Sequence, residues 1–136
     1  AIKSLNYIGN MLAKKDAENE GAFEPVFYNA DGYITECAIR NIFFIQDDKL
    51  LTPSTDLGVL RGVMRDTIIS IAKELNLAPE ERNISINAIN DMDEAFISST
   101  GIGLFPCYWN EWKSDFIITS TLIKRLDTLI HCEKHI

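Results

Sequence analysis

The sequence predicts an α and β (α/β) fold in which a mixed sheet is flanked by helices. Strand-like runs and helical patterns alternate along the chain, turn residues separate them, and 46% of the residues are apolar. A length of 136 residues suits one domain with one sizeable core. We therefore treat residues 1–136 as a single domain.

The first half of the chain predicts one helix and two hairpins. Leu5 to Glu20 follows helical spacing and ends at Gly21, a residue that suits the position after a helix. The first hairpin turns at Gly32, which supplies a left-handed backbone conformation. The hairpin strands are predicted at Phe23–Tyr28, Tyr33–Thr35, Asn41–Gln46 and Lys49–Thr52.

The second half alternates helices with strands. Apolar residues at helical spacing predict a helix from Gly62 to about Asn76, and a closing amphipathic helix from Thr119 to about His131. Between them we expect a short helical turn at Asn87–Met92. The strands of this half are predicted at Arg82–Ile86, Glu94–Ser98 and Leu104–Tyr108.

Composition excludes several classes of partner. The net charge of −7 repels phosphate backbones, so we expect no nucleic-acid partner. No apolar run is long enough for a membrane span, and we expect no membrane partner. Three cysteines without CxxC spacing favour reduced thiols in a cytoplasmic protein. His131 and His135 lie four residues apart but have no evident third ligand, so we expect no metal site.

Two segments have the composition of anion-binding sites. In Leu60–Met64, a glycine precedes a helix start, where backbone N–H groups and the positive end of the helix dipole are available. In Ser98–Gly101, hydroxyls and a glycine follow an apolar strand, a usual place for ligands in α/β folds. An ordinary helix start and an ordinary loop remain the alternatives.

The carboxylate of Glu36 is a third feature. It lies between the alternating run Tyr33–Thr35 and the apolar Cys37–Ile39. A carboxylate in such surroundings needs a partner if it is buried. The alternative is a solvated glutamate at the end of a strand.

In order and spacing, these segments resemble the class IV (fold-type IV) family of pyridoxal-phosphate (PLP) enzymes. This family includes D-amino-acid and branched-chain aminotransferases and aminodeoxychorismate lyases. The resemblance runs from Lys3 to about Tyr108, and Ile2–Asn6 is especially similar to D-amino-acid aminotransferases. The segments that carry it are Lys3–Tyr7, Gly32–Glu36, Asn41–Phe43, Leu51–Pro53, Leu60–Arg65, Asp93–Phe96, Ser99–Thr100 and Pro106.

The resemblance implies that the sheet is partly barrel-like, as in the large domain of these enzymes. It also implies that PLP is the cofactor and gives roles to individual residues. Lys3 matches the catalytic lysine that forms a Schiff base with PLP and then moves a proton. Glu36 matches the carboxylate that keeps the pyridine nitrogen protonated. The backbone N–H groups of Val63 and Met64 and the hydroxyl of Thr100 match the phosphate contacts.

Four more residues are implied to bind the cofactor: Arg40, Asn41, Gly62 and Ser99. Arg40 stands where relatives often carry a small residue, near the cofactor ring. Contact with a substrate carboxylate and simple packing both remain open for this side chain.

The resemblance implies a transaminase that moves an amino group between an amino acid and a 2-oxo acid. An aminodeoxychorismate lyase, which eliminates pyruvate and yields 4-aminobenzoate, is the alternative. Met64 and Cys37 are more similar to lyases, whereas the Ser99–Gly101 loop is more similar to transaminases. A catalytically inert fragment or interaction domain is a third interpretation.

Members of the family carry a smaller N-terminal domain before the catalytic lysine. That domain supplies an arginine to the phosphate, a lid over the substrate and part of a dimer contact. Because Lys3 is almost the first residue, we expect residues 1–136 to be the C-terminal PLP-binding domain, without the smaller domain. The full-length protein is expected to be a homodimer.

Overall fold

The computed structural model describes residues 26–37, 40–57, 62–99, 103–109 and 112–134. The predicted helix from Leu5 to Glu20 lies outside these residues. Among the described residues, no helix has the length and apolar character that crossing a membrane requires.

An antiparallel ribbon of β1 (Val26–Tyr28) and β2 (Ile34–Cys37) begins the described chain. Its turn is stabilised by Asn29, whose Oδ1 accepts hydrogen bonds from the backbone N–H groups of Asp31 and Tyr33. Gly32 has a φ of 81°, which glycine adopts without steric strain. The ribbon leads directly into the main sheet.

In the described part of the chain, the main sheet has five strands in the order β5-β4-β3-β6-β7. All neighbouring strands are antiparallel except β4 and β5, which are parallel, so the sheet is mixed as predicted. The barrel-like part of the prediction is not confirmed, because β5 and β7 lie at opposite edges. The strands are β3 (Asn41–Gln46), β4 (Lys49–Thr52), β5 (Glu80–Glu81), β6 (Glu94–Ser99) and β7 (Gly103–Pro106).

Helices α1 (Val63–Glu74) and α2 (Ile117–Lys134) pack on one face of the sheet. Short 3₁₀ helices lie at Thr55–Leu57 and Ile86–Asp91. The helix-side core is made of buried apolar residues from the helices and the inner strands: Phe43, Ile45, Leu50, Ile68, Ile71, Ala72, Leu77, Phe96, Leu104, Leu122 and Leu126. A second core, on the far side of the sheet, contains Ile34, Cys37, Ile42, Phe44, Leu51, Ile84, Met92, Ala95 and Ile97.

Successive residues of the inner strands alternate between these two cores. In β6, Phe96 belongs to the helix-side core, while Ala95 and Ile97 belong to the far-side core. This period of two follows from strand geometry, and it explains why the inner strands are almost continuously apolar.

One predicted strand is wrong. The alternation in Arg82–Ile86 favours a strand, but the described strand is Glu80–Glu81, two residues earlier. Ile84 is buried in the far-side core, and its carbonyl accepts a hydrogen bond from Ile34 N–H. Ser85 also forms an isolated antiparallel bridge with Tyr33, so this segment pairs at a single point and does not continue as a strand. The strand-like pattern reflects the bridge and the burial of Ile84.

The start of α2 is capped from the sheet by Glu94. This carboxylate is 6% exposed and accepts hydrogen bonds from the N–H groups of Ile118 (3.0 Å) and Thr119 (2.7 Å). Its negative charge lies at the positive end of the helix dipole. Glu94 thereby fixes α2 to the first residue of β6.

We expect Glu94→Ala to lower the free energy of unfolding by about 2 kcal/mol, because it leaves buried N–H groups unsatisfied. Denaturant titration measures the change. Glu74→Ala is the control, because Glu74 pairs with Arg125 on the surface, and its loss should stay below about 0.5 kcal/mol. Equal losses in the two variants would contradict the capping role.

Candidate functional site

The start of β3, the end of β6 and the start of α1 come together at one end of the sheet. Asn41 is paired with Ser98 across the antiparallel strands, and Ser99 follows directly. Gly62, immediately before α1, lies against the Asn41 side chain. We call this group, Asn41, Gly62 and Ser98, the strand–helix junction.

Gly62 leaves the first turn of α1 without a side-chain cap. The first N–H groups of a helix have no partner within the helix, and glycine has no side chain that could accept from them. Val63, the first helical residue, is 79% exposed, while Met64 packs against the helix-side core. The N–H groups at this helix start are therefore suited to an anion.

Ser98 contributes a hydroxyl buried under this helix. It is 1% exposed, and among the described residues no group hydrogen-bonds to its Oγ atom. Strand alternation places Ser98 on the same face as Phe96, the face that carries α1. Buried hydroxyls nearly always have a partner, so this atom is a candidate to hydrogen-bond a ligand oxygen.

Glu36 and Arg40 lie beside the junction because of the turn between β2 and β3. The N–H of Cys37 donates to the carbonyl of Arg40 at 2.9 Å, which closes a tight turn. Glu36 and Asn41 flank that turn, and both side chains are half-buried. Along the backbone, Glu36 therefore lies at the same end of the structure as the predicted phosphate contacts.

The predicted site residues divide into two groups. The structure brings seven of them to this end of the fold: Glu36, Arg40, Asn41, Gly62, Val63, Met64 and Ser99. Lys3 and Thr100 lie outside the described residues, as do the side chains of His131 and His135. The roles assigned to all nine site residues remain predictions.

Two residues near the site were not predicted. Ser98 was treated only as part of a hydroxyl-rich segment, although the period of two from Phe96 would have placed it under α1. Arg65 was only part of a matching segment. It is 1% exposed, donates to the Pro53 carbonyl at 3.2 Å and pairs with the Glu81 carboxylate.

Arg65 connects the site to the sheet. Arg65 lies in the first turn of α1. It contacts Pro53, directly after β4, and Glu81 in β5, and these contacts hold the helix start against the two strands. A planar guanidinium suits a shared contact between a carbonyl and a carboxylate. The geometry of the strand–helix junction therefore depends in part on this side chain.

Two clefts lie elsewhere on the described surface. One of about 550 Å³ adjoins the start of α2, where the Glu94 carboxylate already occupies the helix end. The other, of about 480 Å³, runs along α1 beside Arg65, Glu80 and Glu81. Among the described residues, neither lining includes a predicted site residue, so their size alone assigns them no role.

Comparison with known proteins gives the family. The model of the class IV amino-transferase family matches residues 1–108. The chain belongs to the class IV aminotransferase family. The resemblance of its segments to that family is thereby confirmed.

The relatives include enzymes with different activities. A D-alanine aminotransferase of Listeria monocytogenes is 39% identical over 105 residues, which are 77% of this chain and 36% of that protein. An aminodeoxychorismate lyase of Bacillus subtilis is 33% identical over 105 residues, again 77% of this chain and 36% of that protein. This member of the family therefore spans about a third of the length of these curated relatives.

A solved structure supports the same fold. The branched-chain amino acid aminotransferase of Thermobaculum terrenum, solved in its PLP form, matches with a TM-score of 0.71 and 34% identity. The match covers 75% of this chain and 34% of that one. The mixed sheet and its helices are therefore those of a class IV aminotransferase.

We expect Arg65→Met to lower the free energy of unfolding by about 2–3 kcal/mol, because it removes a buried guanidinium together with its ion pair to Glu81 and its hydrogen bond to Pro53. Thermal or denaturant unfolding measures the loss. Arg82→Met is the matched control, because its pair with Glu80 is exposed and should contribute less than about 0.5 kcal/mol. A loss at Arg65 no larger than the control would rule out its anchoring role.

Proposed function

We propose that this chain is the cofactor-binding part of a PLP-dependent transaminase, which moves an amino group between an amino acid and a 2-oxo acid. The observation that carries the proposal is the strand–helix junction beside Glu36. Its support is the identity of 39% with a D-alanine aminotransferase and the PLP form of the Thermobaculum terrenum enzyme.

The residues of the junction fit the phosphate end of PLP. The start of α1 offers backbone N–H groups, and Ser98 offers a buried hydroxyl that no described group satisfies. A Cβ atom at position 62 would come within 3.1 Å of Asn41 Oδ1, so glycine keeps this place open. Such donors bind a phosphate ester without an excess of basic side chains, in agreement with the net charge of −7.

The other proposed residues act on protons. Bound PLP supplies an electron sink for the negative charge that develops on the substrate Cα. Glu36 would accept a hydrogen bond from the protonated pyridine nitrogen and so keep that proton in place. The amine of Lys3 would hold the cofactor through a covalent bond formed with loss of water, and after replacement by the substrate amine it would accept the proton from Cα.

Aminodeoxychorismate lyase activity is the second candidate. The relative from Bacillus subtilis with that name is 33% identical, and Met64 and Cys37 are the two positions that resemble lyases. Glu36 and Lys3 would have the same roles in pyruvate elimination. Assays with D-glutamate plus pyruvate and with aminodeoxychorismate separate the two activities.

The length of the relatives leads to a proposal about the whole protein. This chain covers 36% of the D-alanine aminotransferase that it matches. We propose that it corresponds to the C-terminal domain of a longer, cytoplasmic homodimer, in which a smaller N-terminal domain completes the site. The experiments below therefore use the full-length protein that contains this chain.

We expect Glu36→Gln to reduce turnover by about 100-fold or more, because a neutral amide does not keep the pyridine nitrogen protonated. The visible absorbance of the bound cofactor and the melting temperature should change little. Asp48→Asn is the control, because Asp48 is exposed in the β3–β4 turn, where its φ of 61° suits asparagine. Unchanged turnover in Glu36→Gln would disprove the assignment.

We expect borohydride reduction to fix PLP irreversibly to Lys3, because only an imine-forming amine is trapped in this way. Peptide mass spectrometry should locate the added cofactor mass on the peptide that contains Lys3. Lys3→Ala should abolish both the adduct and the activity. Labelling of another lysine in the native protein would refute this role for Lys3.

A further inference from the structure

The contact between Gly62 and Asn41 determines how wide the strand–helix junction is. Gly62 has φ −85° and ψ 155°, an extended conformation that any residue adopts. Backbone freedom therefore does not explain why this residue is glycine. The explanation is steric, because a Cβ atom there would lie 3.1 Å from Asn41 Oδ1, tighter than an ordinary van der Waals contact.

The backbone of Asn41 is held in place beside such a Cβ atom, so relief has to come from its side chain or from the start of α1. It is the first residue of β3, it is paired with Ser98 of β6, and the tight turn that ends at Arg40 precedes it. Its side chain is short and half-buried, on the face of the sheet that carries α1. A larger residue at position 62 would therefore push the start of α1 outward.

Asn41 thus lies between the two parts of the junction, the end of β6 and the start of α1. On one side it is paired with Ser98 at the end of β6, and on the other its side chain touches Gly62 at the start of α1. Arg65 holds the start of α1 against the sheet, and the Asn41 side chain limits how closely that start approaches the Ser98 hydroxyl. A phosphate needs donors from both halves at hydrogen-bond distance at the same time.

We propose that Asn41 is a positioning residue that acts as a spacer: it sets the width of the junction so that α1 and β6 grip one phosphate. This inference rests on the proposed function, in which the junction holds the phosphate of PLP. It differs from direct binding by Asn41, because the spacer acts through the contact with Gly62.

The test enlarges the residue at position 62 and shortens the side chain at position 41, in the full-length protein. Gly62→Ala should weaken PLP binding by about tenfold, and adding Asn41→Ser should recover most of that loss, because the smaller side chain makes room for the new methyl group. Binding of pyridoxal, which lacks the phosphate, should change by less than about twofold in the same variants. Titration by cofactor absorbance measures both affinities.

A matched control makes the same chemical change at a distant site. Asn87→Ser replaces an exposed asparagine of the 3₁₀ helix at Ile86–Asp91 and should not restore binding to Gly62→Ala. Denaturant unfolding without cofactor provides an independent readout. In that measurement too, Asn41→Ser should lower the free energy of unfolding less in the Gly62→Ala background than in the native protein.

The possible results distinguish the spacer role of Asn41 from the proposed function of the chain. If Asn41→Ser improves neither PLP affinity nor stability to denaturant in the Gly62→Ala background, the spacer role is overturned. Equal losses for PLP and pyridoxal would overturn its link to the phosphate. If the native protein binds no PLP, the proposed function fails, while unfolding without cofactor still shows whether the two residues are coupled.

Discussion

The antiparallel pairing of β3 with β6 is the interaction on which the rest of the structure depends. Its register joins Asn41 to Ser98 and Phe43 to Phe96, whose rings stack with centroids 5.0 Å apart. Both strands are buried on their two faces, so a shift by one residue would exchange the helix-side and far-side cores. The same register brings the polar pair of Asn41 and Ser98 to one end of the two inner strands, beside the start of α1.

Two buried charged residues attach the helices to this sheet. The Arg65 side chain in α1 donates hydrogen bonds to Pro53 and Glu81, whereas the Glu94 side chain in β6 accepts hydrogen bonds from the start of α2. Apolar packing alone allows a helix to slide, because the hydrophobic effect has no preferred direction. Directional bonds at the two helix starts remove that freedom. The distance between α1 and β6 is then determined locally, by Asn41 against Gly62.

The sequence allowed most of this architecture to be predicted, because the inner elements follow strong local rules. Asn41–Gln46 and Lys49–Thr52 are strands at the predicted bounds, and α1 begins at Val63, directly after the predicted Gly62. The strand predicted at Arg82–Ile86 was wrong because alternation cannot distinguish a strand from a buried irregular segment. Arg65 was missed because its importance comes from Pro53 and Glu81, partners distant in sequence that no local pattern reveals. Ser98 was missed because its burial depends on the helices that cover the sheet, although strand alternation gives the face on which it lies.

The Glu94 cap also has an electrostatic consequence for ligand binding. Of the two α-helix starts in the described part of the chain, that of α2 carries its own counter-ion, because Glu94 neutralises it internally. The start of α1, which follows Gly62, has no such carboxylate from its own cap residue. The acidic residue in the first turn of α1 is Asp66, which lies beside the Arg65 guanidinium. Identical backbone dipoles therefore meet different charges: the start of α2 is compensated by a buried carboxylate, whereas the start of α1 has no side-chain cap.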